Sequence, residues 1–226
     1  MHTRTTDKKT AFLEISLFFL FMLILTVLMR LSELYFPIDG FITGILCYLI
    51  LCAALLFYML HLKKEPLSSI GLKKICLTDI PKGLLLGFCM FIVQQIPLLL
   101  MKFDYSAYAM TPDPGYIFAT TLYCLFCVGF AEELIFRGFI LHKTLAACPS
   151  KILAVSLNIL LFYLIHWSAM QFTFGEFYNL TLNVIILCVY FFCSRQKSLA
   201  PLIIAHGFYD VLTSVLLPVF VYYRGQ

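Results

Sequence analysis

The chain has 226 residues, of which 62% are hydrophobic and only 12% are charged. A water-soluble domain carries about 25% charged residues, so this composition excludes a soluble globular domain and a disordered chain. It equally excludes a coiled coil and a nucleic-acid-binding protein, because both need more charge. The composition predicts an integral membrane protein that has no nucleic-acid partner.

Apolar runs long enough to cross a membrane recur along the chain. A spanning helix needs about 20 largely apolar residues, and the runs that qualify cover residues 12–30, 41–61, 83–101, 115–141, 152–168, 177–193 and 199–221. We therefore predict an all-α, polytopic membrane protein with about seven transmembrane helices.

Lysine and arginine are unevenly distributed among the segments that connect these runs. Twelve of them fall in the amino tail and in the second, fourth and sixth connections, whereas three fall in the segments on the other side. By the positive-inside rule, this distribution predicts a cytoplasmic amino terminus and a carboxyl terminus outside.

Few ionisable residues lie deep within the predicted spans, where a charge is costly and usually marks a function. They fall on the fourth, fifth and seventh spans and are Glu132, Glu133, Arg137, His166, His206 and Asp210.

On the fourth span, two glutamates are adjacent in sequence but point in different directions. Glu133 and Arg137 are four residues apart and can therefore pair on one helix face. Glu132 lies about 100° further around the helix and has no intrahelical cation. A buried pair with a spare glutamate facing a polar cavity is the structural alternative.

The histidines also have structural alternatives. His166 alone fits a hydrogen-bonded packing residue, and His206 fits a hydrogen bond to Asp210, four residues later. Helical rise places Glu132 about 21 Å, His166 about 22 Å and His206 about 15 Å from the cytoplasmic boundary. These depths predict one intramembrane polar site that opens towards the cytoplasm.

Three motifs in this order resemble the CAAX-protease and bacteriocin-processing (CPBP, or Abi) family of intramembrane proteases. They are Glu132-Glu133-x-x-x-Arg137, Phe162-x-x-x-His166 and His206-x-x-x-Asp210. The resemblance divides the chain into N-terminal helices 1–3 (residues 1–114), which match the family poorly, a catalytic core (115–215) and a C-terminal end (216–226).

The resemblance implies an intramembrane endopeptidase that hydrolyses a peptide bond, in CAAX-type or bacteriocin and peptide processing. Its partners would be membrane lipids and a membrane-associated or lipid-modified peptide or protein. The short chain and minimal loops suggest a multi-pass protein of the bacterial plasma membrane.

Two catalytic pictures follow from the resemblance. In the first, Glu132 is the general base for a water that His166 positions, and His206 and Asp210 stabilise the oxyanion. In the second, Glu132, His166 and His206 ligate a metal, for which zinc is the candidate. In both pictures, Glu133 and Arg137 are structural or orient the substrate.

Asp210 departs from the asparagine that many family members carry. An ionised aspartate cannot donate a hydrogen bond to an oxyanion. Asp210 is therefore protonated, or it orients His206, or it binds a metal or a positive group of the substrate.

Two other functions compete with the protease. A non-catalytic bacteriocin self-immunity or membrane scaffold protein could share the fold. A proton- or metal-coupled transporter could also use these residues, but it predicts inverted repeats with broken helices, which the sequence does not show.

Overall fold

The computed structural model describes residues 8–36, 39–106, 109, 111–167, 170 and 172–225. Within these residues, regular secondary structure is entirely helical. The helices form seven rods in the described part of the chain: α1 (Lys8–Tyr35), α2 (Gly40–Lys63), α3 (Asp79–Leu100), α4 (unbroken from Pro114–Leu122 to Leu141–Ala147), α5 (Lys151–His166), α6 (Phe174–Cys193) and α7 (Ala200–Arg224).

Most of these rods have the length and apolar character of membrane spans. The helices α1, α2, α3, α6 and α7 are long and apolar enough to cross a membrane, and α5 is apolar with 16 residues. The predicted all-α, polytopic, integral membrane fold is thus confirmed. The number of spans and the orientation of the amino terminus stay predictions.

The helix α4 departs from regular α-helical geometry at two places. It widens into π-helix over Tyr123–Val128 and again over Glu133–Ile140, and the short α-helical turn Gly129–Glu132 separates the two. Such wide turns occur often at functional sites. Every residue of Glu133–Ile140 is buried, so this part of α4 runs through the interior of the bundle.

Glycines allow α7 to pack directly against two neighbouring helices. A Cβ atom on Gly207 of α7 would lie 2.9 Å from the carbonyl oxygen of Cys124 on α4. A Cβ atom on Gly87 of α3 would lie 2.6 Å from the carbonyl oxygen of Ala205. Only glycine permits such close backbone contact, and the contact brings His206 against α4.

The two ends of the bundle differ in charge. At one end, Lys63 of α2 and Lys143 of α4 both pair with Glu14 of α1. At the same end, Lys73 donates to the carbonyl oxygen of Gln196. We call this the lysine-rich end, and we call the other the opposite end, where α1 ends and α2 begins.

Candidate functional site

Three residues from three motifs meet near the middle of the bundle. One carboxylate oxygen of Glu132 lies 3.7 Å from Nε2 of His166, and the other lies 3.7 Å from Nε2 of His206. Glu132 and His206 are buried, whereas the His166 side chain is 29% exposed. The structure therefore brings together residues that the sequence separates by up to 74 positions.

In both histidines, Nδ1 makes a hydrogen bond on the side of the ring that faces away from Glu132. The Nδ1 atom of His166 lies 2.8 Å from the carbonyl oxygen of Phe162, and that of His206 lies 2.8 Å from a carboxylate oxygen of Glu133. A carbonyl or carboxylate oxygen only accepts, so each Nδ1 is the donor. In each neutral ring, Nε2 is then an acceptor that faces Glu132.

Glu133 and Arg137 form a buried pair behind the histidines. Arg137 Nη1 donates to Glu133 at 2.8 Å, and both side chains are 0% exposed. The guanidinium also lies over the ring of Phe162, 5.5 Å from its centroid. The same carboxylate oxygen of Glu133 thus joins Arg137 to His206, and Phe162 joins Arg137 to His166.

Asp210 lies on the same side of His206 as Glu132 does. Its Oδ2 atom is 3.7 Å from Nε2 of His206, one helical turn away along α7. The opposite nitrogen, Nδ1, contacts Glu133. Glu133, and not Asp210, therefore contacts the His206 nitrogen that faces away from Glu132.

The sequence did not indicate that a tyrosine contacts the carboxylate of Glu132. The hydroxyl of Tyr48 on α2 donates to Glu132 at 2.5 Å. The chain contains 13 tyrosines, and nothing in the local sequence of Tyr48 distinguishes it from tyrosines at a membrane interface. Its role depends on how α2 rotates against α4.

A second missed feature is a polar network beside Asp210. The hydroxyl of Tyr209 donates to Gln94 at 2.7 Å and accepts from Gln95 at 3.4 Å. Gln95 in turn accepts from Tyr105 at 3.0 Å. Two successive glutamines within an apolar run are a sequence signal that could have indicated this network.

Two cavities adjoin the site, and His166 lines both. The first cavity lies between α1, α2 and α4 and is lined by Tyr48 and Glu132. The second lies between α3, α6 and α7 and is lined by Gln95 and Asn179. The His166 side chain therefore borders both cavities.

The side chains of the site are of the types that bind a metal, but they are not positioned as metal ligands in this structure. Two imidazoles and a carboxylate are the ligands of many zinc sites, and the contacts at Nδ1 are typical of metal-binding histidines. Within the described residues, no three His, Cys, Asp or Glu side chains are grouped so that they could hold a metal ion. Zinc stays a prediction.

Comparison with known proteins yields one family. Residues 114–212 match the family model described as type II CAAX prenyl endopeptidase Rce1-like. The matched segment includes all the predicted site residues, whereas Tyr48 lies outside it. No curated protein and no solved structure matches the chain.

Proposed function

We propose that the chain is an intramembrane endopeptidase, because its segment 114–212 matches the model of the Rce1-like family of type II CAAX prenyl endopeptidases, which is a protease family. The substrate in this proposal is a membrane-associated or lipid-modified peptide or protein. The observation that carries the proposal is the Glu132 carboxylate, which lies between two imidazole Nε2 atoms and lines a cavity inside an apolar bundle.

In the proposed reaction, Glu132 activates the attacking water. The gap of 3.7 Å between Glu132 and His166 is too long for a direct hydrogen bond. Both facing atoms accept hydrogen bonds, and a water donates one to each. Glu132 takes one water proton as the water oxygen attacks the scissile carbonyl carbon.

His206 is the candidate donor to the oxyanion. Its Nδ1 is already committed to Glu133, so it donates from Nε2 only as an imidazolium. Glu132, Glu133 and Asp210 surround this ring and would balance that positive charge. The proton on Glu132 then passes to the leaving amine as the carbon–nitrogen bond breaks.

Glu133 and Arg137 act as positioning residues in this proposal. Both are completely buried, and neither lines a cavity next to the site in the described structure. Their contacts with His206 and Phe162 support a structural role over direct substrate orientation.

A metal-dependent version of the proposal uses the same residues. Because these three side chains are not grouped as a metal cluster in this structure, Glu132, His166 and His206 would have to shift to hold a metal. A bound zinc would supply Lewis-acid polarisation of a water or carbonyl. The two versions differ in their response to metal removal, and that response decides between them.

Cleavage of a lipid-modified model peptide by the purified protein in lipid tests the proposal. We expect cleavage by wild type and its loss in both Glu132→Ala and His166→Ala. Loss of wild-type activity with a chelator, and its recovery with zinc, would favour the metal-dependent version. Full cellular function of both variants would instead indicate a non-catalytic immunity or scaffold role.

A further inference from the structure

We infer that the lysine-rich end carries a binding site for an anionic phospholipid of the surrounding membrane. The headgroup occupies a third cavity, between the start of α3, the end of α6 and the start of α7, and the acyl chains lie along α3 and α6. This site is separate from Glu132 and goes beyond the proposed protease function.

The third cavity lies where the ends of three helices meet. It is lined by Asp79 and Lys82 from the start of α3, and by Ser194, Arg195 and Ser198 from the α6–α7 connection. Its volume of about 370 Å³ is in the range of small-molecule sites. Among the described residues that line it, none belongs to the candidate active site.

The two cations of this cavity lack an acidic partner. Lys82 and Arg195 are exposed, and neither forms an ion pair within the described residues. Lys82 contacts a neutral group, the hydroxyl of Thr78, at 3.5 Å. Basic pockets between the ends of transmembrane helices are typical sites for anionic lipid headgroups.

The carboxylate that borders the cavity is almost completely buried. Asp79 is 1% exposed, and its Oδ2 accepts a hydrogen bond of 2.9 Å from the Cys76 amide. Its Oδ1 is also enclosed. The exposed charges that a ligand meets are therefore those of Lys82 and Arg195, and the charged residues of the lining carry a net positive charge.

The same excess of positive charge extends over the surface of the lysine-rich end. Glu14 pairs with Lys63 and Lys143, and Glu65 pairs with Lys143, so these carboxylates are already neutralised. An anionic partner would balance the exposed cations that have no ion pair within the described residues, namely Lys64, Lys73, Lys74, Lys82 and Arg195.

An exposed apolar surface continues from the cavity along both helices. Leu85 and Cys89 lie three and seven residues after Lys82 and therefore share its side of α3. Val189 lies one turn before Cys193, which lines the cavity. Leu85 is 65% and Val189 is 51% exposed, and Cys89 is exposed as well. A positively charged cavity next to such a surface fits a phospholipid, whereas a soluble anion would use the cavity alone.

Native mass spectrometry of the full chain in detergent, at fixed ionic strength, tests this site with three probes. Dioleoylphosphatidylglycerol is anionic, and dioleoylphosphatidylcholine has the same chains without net charge. Glycerophosphoglycerol is the anionic headgroup without chains. The test variant combines Lys82→Gln with Arg195→Gln. The control combines Lys64→Gln with Lys74→Gln, which removes the same charge from the same end but away from the cavity.

We expect the test variant to bind phosphatidylglycerol about 30-fold more weakly than wild type, because each cation near an anionic lipid surface contributes about fivefold. The control variant should bind it nearly as tightly as wild type does. Because all four replaced side chains are exposed, both variants should keep the wild-type unfolding temperature in detergent.

Three results would each overturn the inference. Equal weakening in both variants would indicate attraction to the whole end rather than to a site. Equal binding of phosphatidylcholine would show that the headgroup charge is not recognised. Equally tight binding of glycerophosphoglycerol would indicate a site for soluble phosphodiesters. The readout is lipid binding, so the result does not depend on the proposed protease activity.

Discussion

The carboxylate of Glu132 is surrounded by side chains from three other helices. Tyr48 of α2 donates to one oxygen, His166 of α5 faces the same oxygen, and His206 of α7 faces the other. These contacts define the rotamer of Glu132 and the positions of its two oxygen atoms. In the reaction that we propose, the reactivity of Glu132 therefore depends on α2 as well as on the segment that matches the family.

Replacing Tyr48 with phenylalanine tests this dependence. The change removes a hydrogen bond to a charged group, which contributes about 1.5–3 kcal/mol, and leaves the ring in place. We expect kcat for peptide cleavage to fall by about 10- to 100-fold, with little change in KM. Steady-state kinetics of the reconstituted protein measure both.

Tyr58→Phe is the matched control for this prediction. Tyr58 lies on the same helix, about 15 Å nearer the lysine-rich end, where its ring packs on Phe139. Equal losses of kcat in both variants would show that the effect of Tyr48→Phe is not specific to Glu132.

The buried pair Glu133–Arg137 should matter mainly for stability. Arg137→Met leaves Glu133 with an uncompensated charge in a completely buried position. Removal of one partner of such a pair costs about 3–5 kcal/mol, so we expect a large drop in the thermal unfolding temperature in detergent.

Arg30→Met provides the comparison for an exposed pair. Arg30 contacts Glu33 at 2.9 Å with its side chain 51% exposed, and such pairs contribute about 0–1 kcal/mol. If Arg137→Met were as stable as Arg30→Met, the pair behind the histidines would not hold the site together.

At the level of helices, contact between α4 and α7 places His206 beside Glu132. The backbones touch at Gly129 and Gly207, where an added Cβ would lie 2.8–2.9 Å from backbone atoms of the facing helix. Gly207→Val forces the two helices apart. We expect a loss of about 1–3 kcal/mol in stability and a loss of activity greater than this destabilisation explains.

Gly115→Ala serves as the control because it lies at the exposed start of α4. There, an added Cβ would meet only a side-chain oxygen of Asp113, at 3.4 Å. Cleavage kinetics and thermal unfolding of both variants, measured together, separate helix displacement from a general effect of replacing glycine. Unchanged activity of Gly207→Val would contradict the proposed role of this contact.

The helices themselves were largely predictable from the sequence, but the shape of α4 was not. Length and hydropathy predicted a span over 115–141, and the structure has continuous helix from Pro114 to Ala147. The π-helical turn at Glu133–Ile140 depends on how buried residues pack against neighbouring helices, which a hydropathy pattern does not encode. The pairing of Glu133 with Arg137 survives this change in winding.

For the molecule as a whole, the sequence predicted a common site but not the cavities that adjoin it. Motif order and depth estimates indicated that Glu132, His166 and His206 could meet, because charged groups in a bilayer need partners. The cavities, in contrast, are formed by gaps between helices. Their walls include apolar residues of α1 and α2 that, in sequence, resemble lipid-facing residues.

The cleavage rate of Glu132→Gln in a lipid-reconstituted preparation tests whether Glu132 is the base that activates the water. The amide keeps the shape of the side chain but cannot accept a proton from water. Glu65→Gln, the same change in the α2–α3 connection, is the control. We predict a fall of about 100- to 10,000-fold for Glu132→Gln and a wild-type rate for Glu65→Gln. Cleavage at the wild-type rate and position by Glu132→Gln would show that Glu132 is not the base.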